Sequence, residues 1–143
     1  MNASSSVSNV EIANKVATTA ALFRKYFPDA SVNFSPWDGS TDNDWLDTLD
    51  FSFHFPGWSP SIECRAVLLQ LRVEKNCEHG VPKLLGVIMR GMIIPTERWR
   101  FATIGEWEMT GTHLPQKEQK DNLFLVCKEL YNLFSTTSTG NKN

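Results

Sequence analysis

The chain has 143 residues, 41% of them hydrophobic and 21% charged, with five tryptophans and nine phenylalanines. That is enough apolar material for one globular domain with a real core, and no apolar run approaches the roughly 20 residues of a membrane span. The formal net charge of −2 argues against broad electrostatic binding to nucleic acid. The opening MNASSSVSN has no basic segment followed by an apolar one, so no secretory signal is read there. Cys64, Cys77 and Cys127 are odd in number and widely spaced, which points to free thiols in a reducing, cytoplasmic setting.

Residues 1–7 are small and polar and read as a disordered tail. Ser8 and Glu11 have capping-box spacing: the hydroxyl accepts from the N–H three residues on, and the carboxylate reaches back. Ile12, Val16, Ala20, Phe23 and Phe27 then fall on one helical stripe, and Pro28 stops it. The helix is expected at about Asn9–Phe27. Ser31–Phe34 reads as a short strand. The acidic stretch Pro36–Asp50 follows, and Thr41 before Asp44 predicts a small helix at Asp42–Leu49. Phe51, Phe53 and Phe55 alternate with Ser52 and His54, a strand with an aromatic face. Pro56-Gly57-Trp58-Ser59-Pro60 reads as a tight connection.

Three long strand-like segments come next. In Ile62–Glu74 the apolar register changes near Leu68–Leu69, which means a bulge or burial on both sides. Leu84–Pro95 is the most apolar run and holds one charge, Arg90. Gly86 and Gly91 would each cost a helix interior about 1 kcal/mol, so the run is read as a strand. A strand apolar on both faces belongs in the middle of a sheet, and its glycines mark a bulge or a close approach to the backbone. In Arg98–Met109 the set Trp99, Phe101, Thr103, Gly105, Trp107 and Met109 alternates with a more polar set. After a turn at Gly111–Pro115, a C-terminal helix carries the stripe Leu123, Cys127, Leu130 and Phe134. Residues 135–143 read as a polar tail. The fold expected is α+β: one two-layer domain over residues 8–134. It holds an N-terminal helix, an antiparallel sheet of about five strands with a small acidic helix inserted, and a long C-terminal helix packed on the sheet.

Five candidate sites stand out. Asp38, Asp42 and Asp44 supply oxygen ligands for a hard cation, but positions six and twelve of a calcium loop counted from Asp38 hold Asn43 and Leu49. A solvated loop is the better reading, with no metal. Cys77-Glu78-His79 pairs a thiol with an imidazole, yet no second pair completes a zinc set. Arg98-Trp99-Arg100, with Arg90, Arg65 and Arg72, would suit a phosphate, carboxylate or peptide if the strands pair in order and Trp99 is exposed. Cross-strand ion pairs with Glu63, Glu74, Glu106 and Glu108 are the plainer account. Among the aromatics Trp37, Trp45, Phe55, Trp58, Trp99 and Trp107, the ring of Trp107 is expected in the core. Trp58, between two prolines, is expected at the surface. His54 is the one acid–base candidate placed within an element, and no catalytic motif accompanies it.

The resulting expectation is a non-enzymatic protein-interaction module, adaptor or chaperone-like, binding itself or another protein, with no cofactor, no nucleic acid and no membrane. Its binding residues would be Trp58, His54, Arg90, Trp99 and Arg98. The alternative is a small-molecule-binding protein or enzyme with a pocket between sheet and helices, lined by His54, Arg90 and Trp99 or Trp107.

Overall fold

The computed structural model describes residues 10–34, 47–74 and 83–135. In chain order these form α1 (Val10–Tyr26), β1 (Ser31–Asn33), β2 (Asp47–Ser59), β3 (Cys64–Val73), β4 (Leu84–Ile93), β5 (Thr96–Ala102), β6 (Glu108–Gly111) and α2 (Lys117–Ser135). The six strands make one antiparallel sheet in sequence order, so every strand pairs with its chain neighbour. The β2–β3, β4–β5 and β5–β6 connections are short, which favours antiparallel pairing of these chain neighbours.

The period of two decides which side chains meet the helices. One cross-strand row runs Phe51, Leu69, Met89, Phe101, Met109; the next runs Phe53, Val67, Gly91, Trp99, Gly111. Phe23 of α1 stacks on Phe53 with ring centroids 3.9 Å apart, and Phe124 of α2 lies 4.6 Å from Phe101. Both helices therefore cover the same face. The stripes read from the sequence are the ones buried: Val16, Ala20 and Phe23 on α1 with Phe27 just past its end, and Leu123, Cys127, Leu130 and Phe134 on α2. As expected, β4 lies inside the sheet with most of both its faces buried. Lys15 Nζ donates to the Leu133 carbonyl at 2.8 Å, and Tyr26 hydrogen-bonds Glu129, which ties the helices together.

The sheet departs from expectation in three places. First, it has six strands, because Arg98–Met109 is a hairpin and not one strand. Thr103 ends β5: its hydroxyl accepts from Val87 N at 2.9 Å where a strand carbonyl would stand, and Gly105 then reverses the chain at φ 83. Second, residues 47–49 of the expected acidic helix belong to β2, and residues 42–46 lie outside the described residues. Alternation of Leu49, Phe51 and Phe53 into the core outweighs the capping signal. Third, Pro56–Pro60 is not the turn. β2 runs on to Ser59, and residues 55–58 stand opposite Arg65 alone in an enlarged bulge. Pro56 has no N–H to offer the ladder, so the strand bows out around it. The turn falls later, with Glu63 in the left-handed region at φ 61. Residues 1–9 and 136–143 lie outside the described residues, and Ser135 closes α2.

Gly91 and Gly111 flank Trp99 in the same row, and both are bare for a reason. A Cβ at Gly91 would collide with the Trp99 indole at Cε2, Nε1 and Cζ2; one at Gly111 would meet main chain, 2.5 Å from the Arg98 carbonyl oxygen and from Trp99 Cα. Gly91→Ala should therefore destabilise the fold by about 1–3 kcal/mol through overpacking. Combined with Trp99→Leu it should cost less than the sum of the single changes, read from urea melts as a double-mutant cycle. Additive costs would show that the two do not touch.

Burial pushes the Cys64 thiol up from 9.0 to about 12, and raises Cys127 further. Unfolded thiols ionise near 9 while the folded ones stay protonated. The stabilisation they give is thus full below pH 9 and is lost as pH rises through about 12. Thermal midpoints should fall from about pH 9 upward, and less steeply in Cys127→Ala. Parallel curves for the two proteins would contradict a buried Cys127.

Candidate functional site

Three connections meet at one end of the sheet: β2 to β3, β4 to β5, and β6 to α2. At this end three large apolar side chains are exposed: Trp58 in the bulge near the end of β2, Ile94 in the β4–β5 connection and Leu114 in the β6–α2 connection. The Pro56 bulge carries Trp58 out of the strand's alternation, and 46% of it is accessible. Its ring is not loose. The Arg98 guanidinium carbon lies 5.0 Å from the indole centroid. A contact of that kind is worth about 0.5–1 kcal/mol at an exposed site, enough to bias a rotamer.

Arg98 is positioned from several sides. It is the extra residue of a β5 bulge, between the pairs Gly91–Trp99 and Met92–Glu97. Its Nη2 donates to Glu63 Oε1 at 2.9 Å, and its Nε donates to the Glu63 carbonyl at 3.4 Å. Glu63 thereby gains two partners that help hold its left-handed backbone, a conformation that costs a non-glycine residue about 1–2 kcal/mol. The Arg98 carbonyl accepts from Thr112 N at 3.0 Å and His113 N at 3.1 Å, and Gln116 N donates to the Ser61 carbonyl at 2.8 Å. Beneath, Trp99 Nε1 donates to the Ile62 carbonyl at 2.7 Å. Main-chain bonds thus tie the β6–α2 connection both to β5 and to the β2–β3 connection.

Of the residues singled out in the sequence, Trp58 and Arg98 come together here, and the others do not join them. Trp99 is wholly buried, so it presents no ring to a ligand; the bare Gly91 beside it leaves the space that the indole fills. Arg90 and Arg100 pair across strands and share Glu97, at 3.7 and 3.2 Å. This is an ion-pair cluster of the kind the plainer account expects, but it is built on Glu97, which is not among the carboxylates named there. His54 Nε2 lies 2.9 Å from Ser52 Oγ on the same strand. By register, His54 and Arg90 share the sheet face turned away from the helices, and Trp99 occupies the other. A common pocket between sheet and helices lined by these residues is therefore not formed. On the outward face a hollow beside Asp50, Gln70, Ile88 and Arg90 holds about 50 Å³, room for a water or two.

Trp107 also differs from expectation. The hairpin at residues 103–107 breaks the period of two, so the ring leaves the core and stacks on Tyr131 of α2 at 5.7 Å, 36% exposed. Trp37, Trp45, Cys77, His79 and the acidic residues Asp38, Asp42 and Asp44 lie outside the described residues. Among the described residues, no three His, Cys, Asp or Glu side chains converge as a metal set, and no helix is long and apolar enough to cross a membrane. Glu63 is one of the carboxylates expected to pair with the arginine cluster, and Arg98 Nη2 meets it at 2.9 Å; its left-handed backbone, at φ 61, is what the sequence does not signal. Nothing in Pro60-Ser61-Ile62-Glu63 marks the fourth residue for the left-handed region, where Gly or Asn is the usual signal.

Comparison with known proteins gives a family and no neighbour beyond it. No curated protein and no solved structure matches the chain. A family model described as a domain of unknown function matches residues 4–136, and the chain belongs to that family.

Proposed function

We propose that the chain is a non-enzymatic interaction module, adaptor or chaperone-like, whose contact surface is the Trp58 end of the sheet. The observation that carries this reading is Trp58 itself: nearly half exposed, yet stacked under Arg98, which Glu63 fixes in turn. An anchor already held in place loses little conformational entropy when a partner covers it. Trp and Arg are also the residues most enriched at interface hot spots. Ile94 and Leu114 add apolar area on the adjoining connections. The partner is a second copy of this chain or another protein. The setting is cytoplasmic; two buried, unbridged thiols, Cys64 and Cys127, support a reducing compartment.

Trp58→Ala should change fold stability by less than about 1 kcal/mol, since little core surrounds the ring, and weaken association by more than about 1 kcal/mol. Trp107→Ala should do the opposite. Its contacts with Phe101, Phe124 and Tyr131 put its cost at about 1–3 kcal/mol of stability, below that of a fully buried tryptophan, with association unchanged. Sedimentation equilibrium, capture of partners from native extract, and chemical melts separate the two variants. The reading fails if Trp58→Ala unfolds the domain, or if self-association and partner capture survive it at full strength.

A further inference from the structure

Both helices lie on one face of the sheet, and Arg72, Arg90 and Arg100 project from the other. The register places them in rows that alternate with the buried Leu71, Met89 and Phe101. The β2 margin of this face is closed, with Thr48, Asp50 and Ser52 buried, while Leu68, Arg90 and Arg100 keep part of their surface accessible. Arg90 and Arg100 stand directly opposite each other on β4 and β5, where like charges repel. One oxygen, Glu97 Oε1, serves both: Arg100 Nη2 donates to it at 3.2 Å, and Arg90 Nε lies 3.7 Å away, too far for a hydrogen bond. Their side chains are 40% and 46% exposed, and each guanidinium carries five N–H donors, so most of those donors are left for an outside acceptor. Arg72 makes no ion pair among the described residues, and its Nε is buried without an acceptor. Glu108, at the β6 margin of the same face, pairs with none of the three. Three guanidinium groups therefore have one paired carboxylate between them. Arg72 faces Gly86, four residues along β4 from Arg90, a separation of about 14 Å that four or five extended residues span. The hollow between them has Asp50 on its wall and repels an anion, which leaves the two ends of the row for negative charge. No aromatic side chain stands in these rows of β3, β4 and β5 for a nucleic-acid base to stack on. A second copy laid face to face would set arginines against arginines.

We propose that this open face docks an acidic, extended segment of a different protein, with one carboxylate taken by Arg90 and Arg100, a second by Arg72, and an apolar side chain on Leu68. Arginine suits that task because its planar fork of donors matches a carboxylate. The surface is separate from the Trp58 end and stands or falls independently of the reading above. The probe is a fluorescein-labelled peptide of about ten residues, made of glutamate, serine and leucine, long enough to reach from Arg90 to Arg72. Titration with the full chain, followed by fluorescence anisotropy, should show saturable binding. Arg90→Gln combined with Arg100→Gln should weaken it at least about fivefold, and Arg72→Gln about two- to fivefold, the range of exposed ion pairs. Lys128→Gln, the same charge change on α2 at the helix side, should leave affinity within about twofold, which separates a local site from net charge. Circular dichroism checks that each variant is folded; if the double variant is not, Arg72→Gln against Lys128→Gln decides. The same peptide with lysine for glutamate should not bind. The proposal is overturned by the absence of saturation up to about 1 mM peptide, by a single-stranded oligonucleotide of equal charge binding as well as the peptide, or by equal losses in Arg72→Gln and Lys128→Gln.

Discussion

The burial of Trp99 is the constraint on which the rest of the structure hangs. The indole fits here because its neighbour on β4 is Gly91, which has no side chain where the ring lies, while Gly111 lets the β6 main chain approach that of β5 closely. The ring then has a polar N–H to satisfy in a dry place. An unpartnered donor there would cost about 1–3 kcal/mol, and the Ile62 carbonyl removes that cost. One side chain thus binds three strands to the β2–β3 turn. Because Arg98 is the next residue and sits on a bulge, anchoring Trp99 also aims Arg98 toward Glu63 and Trp58. The core and the candidate surface share a single fixed point.

Most of the scaffold was legible because it rests on periodicity. Helical stripes ending at Phe27 and Phe134 bury as read, and a strand apolar on both faces does lie inside the sheet. The two glycines of β4 behave as the sequence implied: the ladder slips beside each, and Ile104 and Trp99 fill the space above them. What failed were judgements on where a period stops. Residues 98–109 alternate without a break in the sequence, but alternation carries no record of Thr103 capping the ladder with its hydroxyl. Trp107 was assigned to the core for that reason. Likewise Pro56-Gly57 reads as a turn from local chemistry, whereas pairing of Ser59 with Cys64 keeps the strand going beyond it. Long-range pairing overrode a local signal in both cases.

The site was legible in part, and the division has a physical cause. Trp58 could be placed at the surface by elimination, since Phe51 and Phe53 already fill the inward face of its strand. Its partner Arg98 lies 40 positions later, and only the meander order and a bulge bring them together. Single-sequence reasoning sees strands but not the slips between them, and each slip moves a side chain to a new neighbour. The same blindness grouped His54, Arg90 and Trp99, which the register distributes over two faces.

The β2 bulge is where these threads join. A regular strand would send Phe55 to one face and Trp58 to the other as part of two flat rows. With four residues opposite Arg65, the segment leaves the sheet plane and presents its aromatics at two separate surfaces. Phe55 turns to Phe27, just past the end of α1, with ring centroids 6.3 Å apart; Trp58 turns outward to Arg98. Pro56 between them cannot restore the ladder, so the bulge cannot be ironed out by a shift of register. It is also held at both ends, by His54–Ala66 pairing before it and Ser59–Cys64 pairing after it. An irregular segment clamped this way is a rigid platform rather than a loose loop, which is the property a contact surface needs in order to bind without first losing conformational freedom.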